Sequence, residues 1–271
     1  MTSVGDWRPR LIASDMDGTL LRSDDTVSER TRAELAHWRA ERVPVVIATG
    51  RPPRWMLGIR EVLGTGTAIC ANGAITLDLA TLRVLGEHSL QPDVLRTVTG
   101  ELRRRQPDTW FAVEYGDQFR HEPVYQPRWD VDAPGVAEAT LPEMVAQPVA
   151  KLLARHERLS RDAFVELVAE VVDGRATVTH SSTDALAEIS ALGVTKATGL
   201  AEVSAAHGLG AGDVVFFGDM PNDLAAFAWV RDGGGHAVAM ANAHPDVLAA
   251  ATHVTDTNDA DGVAKYLAQL R

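Results

Sequence analysis

The chain has 271 residues, 45% of them hydrophobic, and its 26 Lys plus Arg stand against 37 Asp plus Glu for a formal net charge of -11. That balance argues against nucleic acid or an anionic membrane surface as a partner and favours a small molecule. A single cysteine, Cys70, excludes an internal disulfide framework and any multi-cysteine zinc cage, and fits a reducing compartment.

The length suits one large domain or two modest ones, and two is the expectation. Met1 to Arg10 has no apolar segment of signal-peptide length, and nowhere do about 18 apolar residues run together, so the reading is a soluble cytoplasmic protein. Apolar runs at residues 11–14, 43–49 and 68–71 predict buried strands, separated by helical patterns at 27–41 and after Pro53. Such alternation predicts a parallel sheet with helices on both faces. The middle reads differently. A helix at 93–105 and a strand at 109–115 precede a long stretch, 116–148, that bears Pro, Gly and Trp and reads as loop. A strand at 149–154, a helix at 161–172 and strands at 176–180 and 185–189 follow. The first pattern then returns with a helix at 196–207, a strand at 213–217, a helix at 224–230, a strand at 237–240 and a last helix through Tyr266. The predicted fold class is α/β: a Rossmann-like parallel-sheet core from residues 1–84 and 190–271, interrupted by an α+β unit at 85–189.

Two acidic runs carry the chemistry, Asp15-Met16-Asp17-Gly18-Thr19-Leu20 and Gly218-Asp219-Met220-Pro221-Asn222-Asp223. Each follows an apolar run, which puts its acidic groups where a buried strand ends. Carboxylates brought to one edge of a sheet repel each other unless a cation lies between them, so a metal site is in prospect. Gly18 lets the backbone swing away after Asp15 and Asp17. One carboxylate can attack phosphorus to form an aspartyl-phosphate while the other protonates the departing alkoxide. A plain strand-to-turn connection or a calcium loop would also show Asp-x-Asp-Gly, although the further acidic ligands and terminal Glu of a calcium loop are missing. Thr49-Gly50-Arg51 ends the second strand with a hydroxyl and backbone N–H groups able to hold a phosphate oxygen; a simple Thr49 N-cap would look the same. Lys196 stands at a predicted helix start, where the macrodipole disfavours a cation. It therefore suggests an answer to a nearby negative charge, against the alternative of one more solvated lysine. Asp219 would reach the cation directly and Asn222 would turn its amide to the same site. Asp223 is open to three readings: a weak ligand, a carboxylate behind the ligands, or a capping group in the first helical turn.

In order, Asp15-Met16-Asp17-Gly18-Thr19-Leu20, Thr49-Gly50-Arg51, Lys196 and Gly218-Asp219-Met220-Pro221-Asn222-Asp223 resemble the four motifs of the haloacid dehalogenase superfamily. Asp17 is only 27 residues from Pro44, whereas Asn72 is 124 from Lys196, so an inserted domain fits after the third strand and not after the first motif. Together with Ala71-Asn72-Gly73-Ala74 and Met240-Ala241-Asn242-Ala243, the chain is similar to the Cof-type sugar-phosphatase branch, whose α/β cap would correspond to 85–189 and set substrate specificity. The resemblance implies Asp15 as nucleophile and metal ligand, Asp17 as general acid and base with its backbone carbonyl on the metal, and Asp219 as the third protein ligand of Mg²⁺. It implies that Thr49, Gly50, Lys196 and Asn222 hold the transferring phosphoryl group. Mg²⁺ takes oxygen ligands and keeps several waters, and phosphoryl transfer asks mainly for alignment and charge neutralisation, so the division is physically sound.

The expected reaction is Mg²⁺-dependent hydrolysis of a phosphate monoester of a small metabolite, a sugar phosphate or a phosphorylated cofactor, by a monomer or homodimer. A phosphomutase would pass the same aspartyl-phosphate to sugar instead of water. A noncatalytic phospho-accepting switch would use a similar set of groups but leaves the inserted unit unexplained. His121, Arg128 and Trp129 in the long central stretch could touch a substrate, yet exposed loop residues are the plainer reading. Arg103-Arg104-Arg105 reads as the solvated end of a helix, Asp232-Gly233-Gly234-Gly235-His236 as a turn, and Cys70 as a small core residue.

Overall fold

The computed structural model describes residues 7–127, 133–180 and 184–271. The amino-terminal part forms β1 (Leu11–Ser14), α1 (Glu29–Ala40), β2 (Val45–Ala48), α2 (Met56–Leu63), β3 (Thr67–Cys70), β4 (Ile75–Asp78) and β5 (Val84–Glu87). The middle forms α3 (Pro92–Arg105), β6 (Trp110–Tyr115), β7 (Gln118–His121), β8 (Val136–Glu138), α4 (Leu141–Met144), β9 (Lys151–Arg155), α5 (Arg161–Val172), β10 (Ala176–Thr179) and β11 (Leu186–Ala191). The remainder forms α6 (Lys196–Ala206), β12 (Val214–Gly218), α7 (Leu224–Asp232), β13 (His236–Ala239), α8 (Pro245–Ala250), β14 (His253–Val254) and α9 (Gly262–Ala268).

The larger sheet runs β14-β13-β12-β1-β2-β3-β4-β5, parallel from β14 through β3 and antiparallel beyond. At its centre Leu11 pairs with Val214 and Ser14 with Phe217, and every residue of both strands is buried. Short apolar runs of this kind belong in a sheet covered on both sides. On one side Trp38, Met56, Tyr266 and Leu267 pack with Ile12, Ile47, Val215 and Phe217. On the other, Leu200, Phe227 and Val247 meet Leu11, Ala13, Val46 and Phe216. Helix α1 opens at Ser28, whose Oγ accepts from the Thr31 N–H at 3.0 Å, and its buried Trp38 indole donates to Glu34 at 3.0 Å.

The smaller sheet runs β10-β11-β9-β6-β7-β8 and is antiparallel except between β7 and β8. Leu95, Val98 and Leu102 of α3 and Phe164 and Val168 of α5 cover one face, against Phe111, Val113, Leu152, Ala154, Ala187 and Ile189. The residues that alternate with these, Ala112, Glu114, Lys151, Leu153 and Glu188, project to the opposite face because side chains in a strand change sides at every step. Three of them are buried charges.

Some elements differ from expectation. Residues 75–87, to which the sequence reading assigns no element, form the hairpin β4–β5, and 116–148 holds β7, β8 and α4 instead of loop alone. β5 and β8 are edge strands: Val84 and Leu85 are exposed, and β8 is mostly so, which removes the alternation that sequence reading relies on, whereas β4 and β7 lie one strand in from those edges. Leu85 still lies in the larger sheet and Ser190 in the smaller, so the chain crosses between them after Glu87 and after Ala191. His121 is not an exposed loop residue. It is buried in β7 between Phe119 and Tyr125, with Nδ1 2.9 Å from the Glu122 carbonyl. Arg128 and Trp129 lie outside the described residues. The end of α3 is tied by ion pairs, Arg103 to Glu122 at 2.8 Å and Arg104 and Arg105 to Glu101. Cys70 is buried, and burial pushes its thiol up to about 12. Among the described residues no helix is long and apolar enough to cross a membrane.

Candidate active site

The carboxyl ends of β1, β2 and β12 and the turn after β3 meet at one edge of the larger sheet, the edge where open α/β sheets bind ligands. Asp15 follows β1 directly, and its N–H donates to the Phe217 carbonyl at 2.8 Å, which fixes the first acidic loop against β12. Gly18 then takes φ +69°, and a Cβ there would lie 2.3 Å from Asp219 Oδ2. The two acidic runs thus touch where a side chain cannot be inserted. Gly18→Ala is expected to lose about 1–3 kcal/mol of stability through the left-handed backbone and this clash. Urea unfolding measures it, and an unchanged midpoint would contradict the contact.

Lys196 is the first residue of α6 and is fully buried, so the solvated-lysine alternative is excluded. Its Nζ lies 2.7 Å from Asp15 Oδ1 and 2.7 Å from Asp223 Oδ1. Burial alone would lower the ammonium's pKa, but the two carboxylates hold it above its ordinary value. The other Asp223 oxygen accepts from the N–H groups of Asp219 and Met220, each at 3.0 Å. Thr19 donates to Asp219 Oδ1 at 2.8 Å. Oxygens of Asp15, Asp219 and Asp223 all lie within 4.8 Å of one another. Burial raises the Asp15 carboxyl well above the usual range against the pull of Lys196, with Asp223 and Asp219 adding to the rise. Asp219 is raised to about 6 by burial and then by the charge of Asp223. Three carboxylates and one ammonium leave this buried cluster two negative charges, a donor set of oxygens that suits one hard divalent cation. Asp223 already serves Lys196 and two backbone donors, whereas Asp15 and Asp219 each keep an oxygen clear of such bonds.

The remaining motif residues surround this cluster without all facing it. The Asp17 side chain is 52% exposed and turns to Arg51, whose Nε lies 3.1 and 3.0 Å from its two oxygens and whose Nη2 also bonds one of them. Thr49 is fully buried, and its Oγ1 accepts from the Arg51 N–H at 3.1 Å. The Gly50 carbonyl accepts from Lys151 at 2.8 Å. Asn222 is buried and donates to Asn72 Oδ1 at 3.1 Å. Asn242 donates to the Gly18 carbonyl at 2.8 Å and braces the first loop.

Sequence reading did not find Lys151, Glu188, Glu114 and Arg54, and it gave Arg51 and Asn72 no role of their own. A usable signal existed. Glu114, Lys151 and Glu188 are each the one charge in the predicted strands 109–115, 149–154 and 185–189, and a charge so placed must be paired when the strand is buried. Lys151 Nζ lies 3.0 Å from Glu188 and 3.4 Å from Glu114, and Arg54 lies 3.5 Å from Glu114.

Residues 12–267 match the family model described as haloacid dehalogenase-like hydrolase. The chain belongs to this family. Two curated relatives from Bacillus subtilis (strain 168) are 5-amino-6-(5-phospho-D-ribitylamino)uracil phosphatases. YitU is 29% identical over 270 residues, covering 96% of this chain and 97% of its own, and YcsE is 28% identical over 266 residues, covering 95% and 94%. A haloacid dehalogenase-like hydrolase from Bacteroides thetaiotaomicron superposes with a TM-score of 0.77 at 25% identity, covering 96% of this chain and 99% of that one. The chain is thus a haloacid dehalogenase-like hydrolase of the Cof type, and its activity is that of a phosphoric monoester hydrolase. The parallel sheet with a second, inserted sheet is the fold of these hydrolases.

Proposed function

We infer that this hydrolase cleaves the phosphate monoester of a small metabolite through an aspartyl-phosphate on Asp15, with Mg²⁺ as cofactor. One observation carries the reading: Asp15 is buried at the end of β1 with Lys196 on Oδ1, which leaves Oδ2 to meet phosphorus. Asp15 attacks while Asp17 gives its proton to the departing oxygen. Water then loses a proton to Asp17 and splits the aspartyl-phosphate, which frees inorganic phosphate and restores Asp15. For this, Asp17 exchanges Arg51 for the leaving oxygen. Lys196 keeps one N–H beyond its two carboxylate bonds, and Asn222 keeps one beyond its bond to Asn72. These, with the Thr49 hydroxyl and the Gly50 N–H, hold the phosphoryl oxygens. Asp15, Asp219 and the Asp17 carbonyl would hold Mg²⁺, which when bound neutralises charge on the transferring group. Asp223 orients Lys196.

Residues 85–189 act as a cap whose inward face reads the leaving group. The named activity of YitU and YcsE supports a phosphorylated polyol or a polyol-bearing cofactor precursor as substrate. The test is phosphate release from p-nitrophenyl phosphate and a panel of sugar and cofactor phosphates. Turnover with Mg²⁺ is expected to fall to background in EDTA and to return when Mg²⁺ is restored, and turnover indifferent to EDTA would refute the cofactor.

Proton and cation compete for the same oxygens. Asp219 has a folded-state pKa raised from 3.8 to about 6, so its contribution to stability is present below the lower value and is lost as pH rises through the upper. A cation that binds the ionised form replaces the missing proton. Millimolar Mg²⁺ is therefore expected to raise Tm more at about pH 7.5 than at about pH 5, and equal shifts in thermal melts would contradict the site.

A further inference from the structure

The seam between the two sheets holds a buried ion pair that touches none of the reacting atoms. Lys151 on β9 is 2% exposed and Glu188 on β11 is 4% exposed, and they lie 3.0 Å apart. Each continues to the core side of the seam. Glu188 Oε2 accepts from Asn72 Nδ2 at 2.9 Å, Asn72 Nδ2 also donates to Thr179 Oγ1 at 3.2 Å, and Asn72 Oδ1 accepts from Asn222 Nδ2 at 3.1 Å. An ionised carboxylate offers only acceptors, so Glu188 decides which end of the Asn72 amide faces it. With both amide hydrogens of Asn72 directed to Glu188 and Thr179, its oxygen faces Asn222, and Asn222 must answer with nitrogen. The second branch starts at Lys151, whose ammonium fixes the direction of the Gly50 carbonyl at 2.8 Å. Among the described residues no peptide is cis, and in a planar trans unit the Arg51 N–H points opposite to that carbonyl, where it meets Thr49 Oγ1 at 3.1 Å. A hydroxyl that accepts there keeps its own proton to give away.

We propose that Lys151 and Glu188 are positioning residues for phosphoryl transfer: one buried pair on the smaller sheet sets the donor direction of both the Asn222 amide and the Thr49 hydroxyl. The seating of the cap and the readiness of the phosphate-holding groups are thereby one event. The inference rests on the reading of Thr49, Gly50 and Asn222 as phosphate-holding groups. It adds that their orientation is imposed from outside the core sheet, by residues that never meet the substrate's phosphorus.

The test is kcat and KM for p-nitrophenyl phosphate with Mg²⁺ in Glu188→Leu, Glu188→Gln, Lys151→Met, Thr49→Ala and Asn222→Ala, each checked for folding by its thermal melt. Glu188→Leu and Lys151→Met are expected to lower kcat by about 10–100-fold, the scale of a small misplacement, with KM changed by less than about threefold. Glu188→Gln keeps an oxygen for Asn72 at the same reach and is expected to recover most of the loss. A pair that merely holds the seam would lower Tm, leave the kcat of folded enzyme intact and treat Gln no better than Leu; that pattern overturns the proposal. If Glu188→Leu or Lys151→Met does not fold, Asn72→Gly cuts the same relay without stranding a charge and suits the positive φ of 57° at that position. Wild-type kcat in that variant also overturns it. Impaired Thr49→Ala and Asn222→Ala beside intact Glu188→Leu and Lys151→Met refutes the relay alone, whereas full activity in all four refutes the phosphate-holding reading as well.

Discussion

Asp15→Asn is expected to lower phosphate release by about 10⁴-fold or more while leaving the protein at least as stable as it was. The amide has no charge with which to attack phosphorus, so the first displacement stops. Stability moves the other way because the Asp15 carboxyl is raised chiefly by burial, and then by Asp223 and Asp219, despite Lys196. A carboxyl whose folded-state pKa is raised contributes stability below its unfolded value near 3.8 and loses it as pH rises through the folded value. At neutral pH the native residue therefore strains the fold, and asparagine of the same shape relieves it. Phosphate-release assays and thermal melts at about pH 7.5 and about pH 4 check both halves: activity lost, Tm equal or higher at the upper pH, and the gap narrowing at the lower. Retained turnover would falsify the nucleophile assignment, and a large drop in Tm would deny the charge crowding.

Lys196→Met is expected to do the reverse to the fold. It leaves Asp15 and Asp223, both buried, without the ammonium that lies 2.7 Å from each. Breaking a buried pair by removing one partner typically loses about 3–5 kcal/mol, since the stranded charge is the source of the penalty. With the counter-charge gone, the Asp15 carboxyl is driven still further toward its neutral form. The variant should thus regain part of its stability as the pH falls toward about 5, and part on addition of a divalent cation at neutral pH. Urea unfolding at both pH values, with and without Mg²⁺, measures this. A variant as stable as the parent at neutral pH would show that Lys196 does not balance the acidic cluster.

The parts of the molecule that sequence reading captured are those set by a local pattern. Leu11–Ser14, Val45–Ala48 and Val214–Gly218 are wholly apolar runs or nearly so, and they became central parallel strands because only a doubly covered sheet can bury them on both faces. The acids that follow two of these strands had to meet at one edge, and Asp15, Asp219 and Asp223 do. The burial of Lys196 was foreshadowed by a cation placed against a helix dipole. What escaped depends on contacts that no local pattern encodes. The turn of Asp17 toward Arg51 is a choice of side-chain rotamer, and the bond from Asn222 to Asn72 joins loops that follow different strands. Residues 84–87 and 136–138 pair at the rims of their sheets with exposed side chains, so nothing in their polarity announces a strand. Lys151 and Glu188 had a legible signal, a charge inside an apolar strand, but the sequence does not say which charge pairs with which.

The pairing of β1 with β12 joins segments about 200 residues apart in the chain. As the polypeptide leaves the ribosome, β1, β2 and β3 can associate, but the far side of β1 stays bare until Val214–Gly218 emerges. A bare strand edge in a greasy sheet invites pairing with the wrong neighbour, so this interval is the hazard in the protein's biogenesis. The inserted unit, with its own apolar cluster, is completed during the wait. Only afterwards do Asp219 and Asp223 come beside Asp15, so the acidic cluster cannot assemble in a nascent chain before residues 219–223 have been synthesised.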